Sequence, residues 1–519
     1  MSNSHRTIEQ KTYVKNSIWR LIIAFIAFLI EMFLIVYLAN RVSVGSTIQA
    51  VEHLIGILLA LFISNQNKTS SIKVPWIILV LLFPIIGGVL YLIIGTSGTT
   101  KRMQRRYEEI DKKLFPLLQK QPDLIEEGII GDRSIANISN YLYDYAHYPI
   151  YSDSDVEFFS YATDAFEAKK AELSKAEHFI FMEYHAIEDA EAFSEIENIL
   201  VDRVNHGVEV RLFYDDMGSI AFINKDFNRR MESKGIQCRV FNPVTPFVNL
   251  FLNNRDHRKI TIIDGRVAFT GGYNIANEYF NITHPYGFWK DSGVKITGPA
   301  TKSFTIMFLE MWNAIRGTDD DDINIQKYLP DISYIPKEKC FIQPYADNPI
   351  DDELVGENLY IHLIERAERY IYFTTPYLII TDEMIHALAL AAKRGVEVII
   401  LTPGIPDKKM VFRMTRAYYK DLVLNGVKIF EFTPGFCHSK QCVSDDIVAV
   451  CGTINLDYRS LYHHFENGCL IYGSNSVMDM KKDFERSFDV SEDVTNKYMR
   501  RSLRFNLWCL FMKLFAPLL

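Results

Sequence analysis

The chain has 519 residues, of which 48% are hydrophobic, and its formal net charge is −8 at pH 7. That length exceeds what one hydrophobic core usually holds, so it predicts two or three folding units. The negative charge argues against a nucleic-acid-binding protein, whose phosphate contacts need a basic surface. Seven cysteines without a CxxC pair favour neither a disulfide scaffold nor a zinc site, and we expect no metal or other cofactor.

Three apolar segments dominate the first hundred residues. The segments at residues 21–39 and 74–95 are each about as long as a helix that crosses a bilayer. The segment at residues 48–64 is weaker because it carries Glu52 near its start. Residues 1–100 are therefore predicted to form a transmembrane anchor of two or three helices, with a buried hairpin of core helices as the alternative.

Two basic regions flank the soluble part of the chain. Residues 101–144 follow the apolar segments and are predicted to form a basic linker. Residues 496–519 place leucines at helical spacing beside arginines and a lysine, which is typical of an amphipathic helix on an anionic lipid surface. A helix that closes the core of the preceding domain is the alternative for this last segment.

Between these regions the chain repeats one order of predicted elements. The stretch "HFIFMEYHAI" is answered by "RYIYFTTPYLI", and "GVEVRLFYDD" by "GVEVIILTPG". Each stretch is typical of a buried strand, and helical stretches separate the strands. This order predicts an α/β fold of two tandem repeats, at residues 145–335 and 336–495, that pack about a pseudo-two-fold axis.

Each repeat carries a histidine, a lysine and an aspartate at the spacing H-x-K-x4-D, followed by a small-residue turn and an asparagine. One such match is a weak signal, but two copies at the same place in a repeated unit indicate a shared site. Two amphipathic strands with chance charges are the alternative. The residues are His257, Lys259, Asp264 and Asn274 in the first copy, and His438, Lys440, Asp445 and Asn455 in the second.

The spacing of the motif suits a phosphodiester. Residues two apart on a strand point to the same face, so each histidine lies beside its lysine. Two such pairs would offer two imidazoles and two ammonium groups to one anion. One histidine would attack phosphorus while the other protonates the leaving oxygen, and the lysines would neutralise the phosphate oxygens. An unperturbed imidazole pKa of about 6.5 allows one neutral and one protonated ring at neutral pH.

The paired motif resembles the signature of the phospholipase D superfamily, and further stretches resemble its bacterial cardiolipin synthase branch. These stretches are "FWKDSGVKITGPA", "TPYLIITDEM" and "GTINLDYRSLYHHFENG". The resemblance implies two phospholipase D-like repeats behind transmembrane helices, in a multi-pass protein of the bacterial cell membrane. It also implies a phosphatidyltransferase that converts two phosphatidylglycerol molecules into cardiolipin and glycerol through a phosphatidyl-histidine intermediate.

The resemblance implies roles for individual residues as well. His257 is the expected nucleophile, and His438 the expected general acid and then base. Glu466 is the expected acidic partner of His438, and Asp291 that of His257. Asp264 and Asp445 are expected to bind backbone or neighbouring side chains, Asn274 and Asn455 to support the phosphate or the lysines, and Thr453 to donate its hydroxyl to the phosphate.

Three other functions remain open at this point. The same catalytic residues would serve a hydrolytic phospholipase D or a transferase that uses another alcohol. A membrane-anchored phosphodiesterase or nuclease is disfavoured by the acidic charge balance. A non-catalytic lipid-binding protein is disfavoured because both motifs are intact. The sequence assigns no oligomeric state.

Overall fold

The computed structural model describes residues 46–95, 101–120, 131–244, 254–315, 325–351 and 353–499, together with residues 513 and 516. The apolar segment at residues 21–39 lies outside the described residues, as does most of the predicted amphipathic helix at residues 496–519. The strands are numbered β1 to β20 and the helices α1 to α16 in chain order.

The apolar N-terminal region is a set of short helices. The predicted helix over residues 74–95 is broken at Phe83, because Pro84 has no N–H to continue the helix and its ring displaces the preceding turn. Within the described part of the chain, we find no helix with both the length and the apolarity needed to cross a bilayer. The elements are α1 (Ser46–Ser64), α2 (Ser70–Leu82), α3 (Pro84–Leu90), a π-helical turn (Tyr91–Gly95), α4 (Lys101–Leu114) and α5 (Arg133–Ala146).

The region predicted as a basic linker folds against the rest of the protein. Tyr107 of α4 is buried and stacks on Phe465, with ring centroids 5.6 Å apart. The Asp132 carboxylate accepts hydrogen bonds from the first backbone N–H groups of α5 and so caps that helix. Arg366 also donates to the Asp132 carboxylate at 2.8 Å, so Tyr107 and Asp132 tie these two segments to the rest of the protein.

The first repeat is a mixed sheet with helices on both faces. Its strand order is β1-β9-β7-β6-β2-β3-β4, where β2, β3 and β4 are parallel and the others antiparallel. The strands are β1 (Asp155–Phe159), β2 (Phe179–Tyr184), β3 (Glu209–Asp215), β4 (Gln237–Phe241), β5 (Arg255–Asp256), β6 (Lys259–Ile263), β7 (Val267–Gly271), β8 (Phe288–Lys290) and β9 (Gly293–Thr297). The helices are α6 (Ala162–Leu173), α7 (Glu191–Asn205), α8 (Asp216–Ser219), α9 (Phe227–Ser233) and α10 (Thr301–Ile315).

The second repeat has the same strand order with one added edge strand, β10-β19-β17-β16-β11-β13-β14-β20. Its strands are β10 (Phe341–Asp347), β11 (Tyr370–Thr374), β12 (Leu378–Ile379), β13 (Glu397–Pro403), β14 (Lys428–Phe432), β15 (Gly435–Cys437), β16 (Gln441–Ser444), β17 (Val448–Gly452), β18 (Leu456–Asp457), β19 (His464–Tyr472) and β20 (Ser491–Asp493). Its helices are α11 (Val355–Arg366), α12 (Asp382–Lys393), α13 (Lys409–Val423), α14 (Tyr458–Tyr462), α15 (Asn475–Asp489) and α16 (Thr495–Met499). The alternating strands and helices confirm the predicted α/β class and the tandem repeat.

Short strands join the two repeats reciprocally. Strand β5 of the first repeat pairs in parallel with the start of β19 in the second. Strand β15 of the second repeat pairs in parallel with β8 of the first. Both histidine-bearing segments therefore leave their own sheet and are hydrogen-bonded to the other repeat.

Candidate active site

The two H-x-K-x4-D motifs meet at one cavity. His257 follows β5 directly and His438 follows β15, and both histidines line the same cavity of about 560 Å³. Lys259 opens β6, and Lys440 directly precedes β16. The repeated sheet thus supplies the strands, and the crossing of β5 and β15 between the repeats brings the motifs together.

Each histidine is held by a carboxylate from the opposite repeat. His257 Nδ1 lies 2.8 Å from Glu466 Oε1, and His438 Nδ1 lies 2.6 Å from Asp291 Oδ2. The expected pairing of Glu466 with His438 and of Asp291 with His257 is therefore wrong. The strand exchange is the reason, because the backbone N–H of each histidine donates to the residue just before the acid of the other repeat. These bonds run from His257 N to Phe465 O (2.9 Å) and from His438 N to Lys290 O (2.7 Å).

Glu466 collects several donors besides His257. The hydroxyls of Thr453 and Ser460 both donate to its carboxylate. Although burial raises the pKa of Glu466, the His257 ring and the hydrogen bonds outweigh it and hold that pKa well below its usual value. Thr453 was expected to donate to the substrate phosphate, but its hydroxyl is used here to keep Glu466 ionised.

Asp291 has fewer donors and needs a glycine beside it. Its Oδ1 accepts the backbone N–H of Ser292 at 3.0 Å, and its pKa is lowered, because the His438 and Lys440 charges and these hydrogen bonds outweigh burial. A Cβ at Gly272 would lie 2.1 Å from Asp291 Oδ1. The first turn is therefore Gly-Gly because the position that holds Thr453 in the second repeat must leave room here for the Asp291 carboxylate.

Both lysines are buried and donate to the carbonyl of the histidine two residues earlier. Lys259 Nζ lies 2.5 Å from His257 O, and Lys440 Nζ donates to His438 O and lies 2.8 Å from His438 Nδ1. Burial lowers the pKa of Lys259 to about 7 and that of Lys440 to about 8. The ammonium groups are thus close to losing their protons at neutral pH in the substrate-free site.

Burial also shifts both imidazoles. It lowers the pKa of His257 well below its ordinary value, although the Glu466 carboxylate acts in the opposite direction. Burial, followed by the Lys440 charge, lowers the pKa of His438 to about 4. The unperturbed value near 6.5 therefore does not apply, and both rings are neutral at pH 7 in the free site.

The aspartates of the motifs serve the backbone. Asp264 accepts the backbone N–H groups of residues 177–179, at the start of β2, at 2.7 to 2.8 Å. Asp445 does the same for residues 368–370, at the start of β11, at 2.9 to 3.0 Å. Both aspartates have positive φ, 53° and 56°, at the turn after their strand. These contacts match the backbone role expected for them and tie each motif strand to its neighbour.

The two asparagines differ from each other. Asn274 accepts the Ala186 backbone N–H at 3.0 Å and donates to the Tyr279 hydroxyl at 2.8 Å, so it positions the cavity wall. Asn455 also lines the cavity, and its Oδ1 has no hydrogen-bond partner among the described residues. That oxygen is itself buried, so Asn455 differs from Asn274 in lacking a partner for its amide oxygen.

Several cavity residues lie outside the motifs recognised in the sequence. His464 and Arg255 stand two residues before Glu466 and His257, and the same-face spacing that linked His257 to Lys259 would have found them. The apolar side chains of α13, by contrast, lie in a helix that no short motif marks. The additional lining residues include His185, Arg255, Glu278, Tyr279, Tyr286, Trp289, Tyr377, Asp407, Met410, Val411, Met414, Asp457, Tyr458, Arg459 and His464.

One group at the site has the chemistry of a metal-ligand set. The ligand atoms of His257, His464 and Glu466 all lie within 4.8 Å of one another. The Glu466 carboxylate also accepts hydrogen bonds from His257, Thr453 and Ser460. Hydrogen bonds alone therefore account for the close approach of these groups. Metal-free chemistry, predicted from the sequence, stays a prediction.

The family described as "Cardiolipin synthase, PLD-like domain" matches residues 170–312 and 360–488, which contain both motifs and both acidic partners. The chain belongs to the cardiolipin synthase family of phospholipase D-like proteins. The "Phospholipase_D-nuclease N-terminal" family matches residues 54–95, so family similarity extends into the apolar helices.

Similar proteins cover nearly the whole chain. A cardiolipin synthase of Geobacillus kaustophilus is 30% identical over 465 residues, which are 89% of this chain and 92% of that protein. An uncharacterised protein of Streptococcus mutans is 40% identical over 467 residues, 90% of this chain and 100% of that protein. The crystal structure of phosphatidylserine synthase from Haemophilus influenzae has the same fold, with a TM-score of 0.54 at 16% identity, over 74% of this chain and 96% of that one.

Proposed function

We propose that this chain is a cardiolipin synthase, which transfers the phosphatidyl group of one phosphatidylglycerol to the terminal hydroxyl of another. The observation that carries the proposal is the pair of histidines at one cavity, each held at Nδ1 by a carboxylate of the opposite repeat. With Nδ1 so engaged, Nε2 of each ring is the nitrogen left for the substrate. Membership of the cardiolipin synthase family supports this substrate and product.

In the first step, His257 Nε2 attacks the phosphorus of the donor lipid. A P–N bond forms, the P–O bond to the glycerol headgroup breaks, and His438 gives a proton to the departing glycerol oxygen. The ionised Glu466 stabilises the positive charge that His257 gains, in the way the aspartate of a catalytic triad supports its histidine. Lys259 and Lys440 neutralise the charge that builds up on the phosphate oxygens.

In the second step, the terminal hydroxyl of the acceptor phosphatidylglycerol attacks the phosphatidyl-histidine. His438, now neutral, takes the hydroxyl proton as the new P–O bond forms and the P–N bond breaks. His257 and His438 return to their starting protonation states, so the cycle is balanced and yields cardiolipin and one glycerol. No oxidant, reductant or nucleotide is consumed.

The low imidazole pKa values of the free site suit this sequence of events. A neutral His257 is nucleophilic at pH 7, whereas the acid needs a proton on His438. The negative charge of a bound phosphodiester raises the pKa of a neighbouring imidazole, so the lipid itself promotes protonation of His438. Asp291, kept ionised beside His438, acts in the same direction.

The cavity also has walls that suit a diacylglycerol group. Met410, Val411 and Met414 of α13 and Tyr286 line it together with the histidines. These side chains are mostly apolar, so they would receive the glycerol backbone and the first acyl carbons of the donor.

We further propose that the N-terminal region anchors the enzyme in the bacterial cell membrane as a multi-pass protein. The apolar side chains along α1 support this, since Leu54, Leu58, Leu61 and Phe62 are each more than half exposed. A membrane anchor would deliver phosphatidylglycerol directly to the cavity. Extraction with alkaline carbonate tests the anchor, because a protein held only by surface charge is released and a spanning protein stays in the membrane pellet.

The activity is tested with purified full-length protein in detergent micelles that contain phosphatidylglycerol as the sole phospholipid. Cardiolipin and free glycerol should appear in equal amounts. Phosphatidic acid without cardiolipin would indicate a hydrolytic phospholipase D instead and would refute the proposal. His206→Ala, an exposed histidine far along the sequence from both motifs, is the matched control and should keep full activity.

A further inference from the structure

The catalytic cavity has two walls of opposite charge. On the His438 side, Glu278 and Asp407 line it, and both charges act on Tyr279, whose ring centroid lies 5.4 Å from that of His438. The exposed Lys408 follows Asp407 and lies over the Tyr377 ring. Burial raises the pKa of Glu278 to about 7, so Asp407 and the ionised fraction of Glu278 together outweigh the single charge of Lys408, which also lines the cavity.

On the His257 side, the wall carries two arginines. Arg255 lies two residues before His257 on β5, and its strand partner in β19 is His464. Arg459 belongs to α14, which precedes β19, and its pKa is lowered by burial, against the Asp457 carboxylate, with a further contribution from the Arg255 charge. Arg255, Arg459 and His464 all line the cavity.

Arg255 is held in place by the protein. Arg255 is buried and donates to the Asn242 carbonyl at 2.7 Å, and its Nη1 lies 3.7 Å from Asp215 Oδ1. Asp457 lines the same wall, and burial raises the pKa of its carboxyl group. Asp215 beside Arg255 and Asp457 near Arg459 favour the charged forms of both guanidinium groups at this wall. Arginine is also the side chain best matched to phosphate oxygens.

The proposed reaction brings two phosphates to this cavity. The donor phosphate is the one that reacts at His257 and His438, and the acceptor lipid keeps its own phosphodiester, one glycerol away from the hydroxyl that attacks. The acidic wall repels that second phosphate and the basic wall attracts it. We infer that Arg255 and Arg459 form a second phosphodiester subsite, which binds the phosphate of the acceptor phosphatidylglycerol.

This inference rests on the proposed function and adds acceptor selection to it. An acceptor whose hydroxyl is joined through one glycerol unit to a phosphodiester would be favoured over free glycerol or water. Only such an acceptor has a phosphate that reaches the two arginines. The subsite thereby explains how a cavity that is open to water can favour lipid-to-lipid transfer over hydrolysis. Neither arginine takes part in bond making, so both are binding residues for the acceptor.

The test compares two acceptors in one preparation. Cardiolipin formation uses an acceptor with a phosphate, whereas exchange of labelled glycerol into phosphatidylglycerol uses the same donor step with a phosphate-free acceptor. Arg459→Gln should lower cardiolipin formation about 10- to 100-fold, since charged hydrogen bonds are lost, and should leave glycerol exchange within about threefold of wild type. Arg459→Lys, which retains the charge, should fall between the two.

Other outcomes overturn the inference. An equal loss of both reactions would place Arg459 in the donor step or in the fold, and no loss of either would remove it from the site. Because Arg255 also contacts Asp215, both reactions of Arg255→Lys are measured together with its midpoint of thermal unfolding. Cardiolipin formation should fall while glycerol exchange and the unfolding midpoint stay unchanged.

Two further arms separate the remaining explanations. In nonionic micelles the selective loss should persist, and a loss confined to anionic vesicles would show binding to the bulk lipid surface instead of a subsite. Arg413→Gln removes an exposed charge from α13 and should leave both reactions unchanged. If the wild-type protein exchanges glycerol but makes no cardiolipin, the proposed function itself is wrong. That measurement needs no variant, so it is independent of the test of the arginines.

Discussion

The same motif places His257 and His438, yet their surroundings differ. The His257 ring contacts two other imidazoles, those of His185 and His464, with centroids 5.0 and 5.4 Å away. The His438 ring instead lies among Trp289, Tyr279 and Phe436, with centroids 5.3 to 5.6 Å away. The duplication therefore supplied two similar positions, and neighbouring side chains made them unequal.

The acidic partners differ in the same way. Glu466 receives the hydroxyls of Thr453 and Ser460 as well as the His257 ring, whereas Asp291 receives His438 and one backbone N–H. Additional donors lower the pKa of a carboxyl group, so Glu466 stays ionised beside His257 even at acid pH. The choice of His257 as the ring that carries the phosphatidyl group is tested by the variants below.

The largest expected effect separates the two histidines. His257→Ala and His438→Ala should each lower cardiolipin formation by about 10⁴-fold or more. With a nitrophenyl phosphodiester, whose leaving group needs no proton, His438→Ala should regain most of its activity and His257→Ala should not. Mass spectrometry of the quenched enzyme should find the phosphatidyl adduct in wild type and His438→Ala, and an adduct in His257→Ala would reverse the assignment.

The second effect tests the crossed acid pairs. Glu466→Gln and Asp291→Asn should lower kcat by about 10²- to 10⁴-fold, with the larger loss for Glu466→Gln, because the amides keep the shape but not the charge. In unfolding experiments, His257→Ala should couple to Glu466→Gln by about 1–3 kcal/mol and should be additive with Asp291→Asn. The reverse pattern would contradict the cross-repeat pairing. Glu485→Gln, an exposed carboxylate, is the control for activity and stability.

The third effect is a pH dependence set by the buried lysines. Only the protonated ammonium groups attract the phosphodiester, and in the free enzyme Lys259 has a pKa of about 7 and Lys440 one of about 8. Loss of the His438 proton already lowers kcat/KM as pH rises through the acid range. The fall measured in micelles should steepen above about pH 7 as Lys259 deprotonates and again above about pH 8 as Lys440 does, by up to a further tenfold per pH unit for each lysine. Lys440→Arg stays charged and should make the fall less steep, whereas a flat profile to pH 10 would exclude this role for the lysines.

The smallest effect on catalysis is expected from the motif aspartates. Asp264→Asn and Asp445→Asn each weaken three hydrogen bonds to the backbone, so each should lower the free energy of unfolding by about 1–3 kcal/mol. The activity of the folded enzyme should change less than about threefold. Urea titration and kcat on the same samples test this, with the exposed Asp226→Asn as the control. A large loss of kcat without a loss of stability would place these aspartates at the substrate.

Local patterns predicted much of the fold. The buried stretches that became β2 and β11 are apolar and β-branched, and they formed strands in equivalent places of the two sheets. The expected helix over residues 74–95 was interrupted at Phe83, although Pro84 was visible in the sequence. Membrane helices tolerate proline better than helices in water do. The same Pro84 is therefore compatible with a continuous helix in a bilayer and with a broken helix in water.

What the sequence by itself determined is the set of reactive groups, because the repeated H-x-K-x4-D motif singled out both histidines and both lysines, although the histidines lie between strands and not within one. Only the tertiary structure decided which carboxylate serves which histidine. Glu466 lies 209 residues from His257, and Asp291 lies 147 residues from His438. No local sequence pattern shows whether the carboxylate that pairs with a histidine comes from the same repeat or from the other one. The choice depends on β5 and β15 leaving their own sheets to pair with the other repeat, which is a property of the assembled fold.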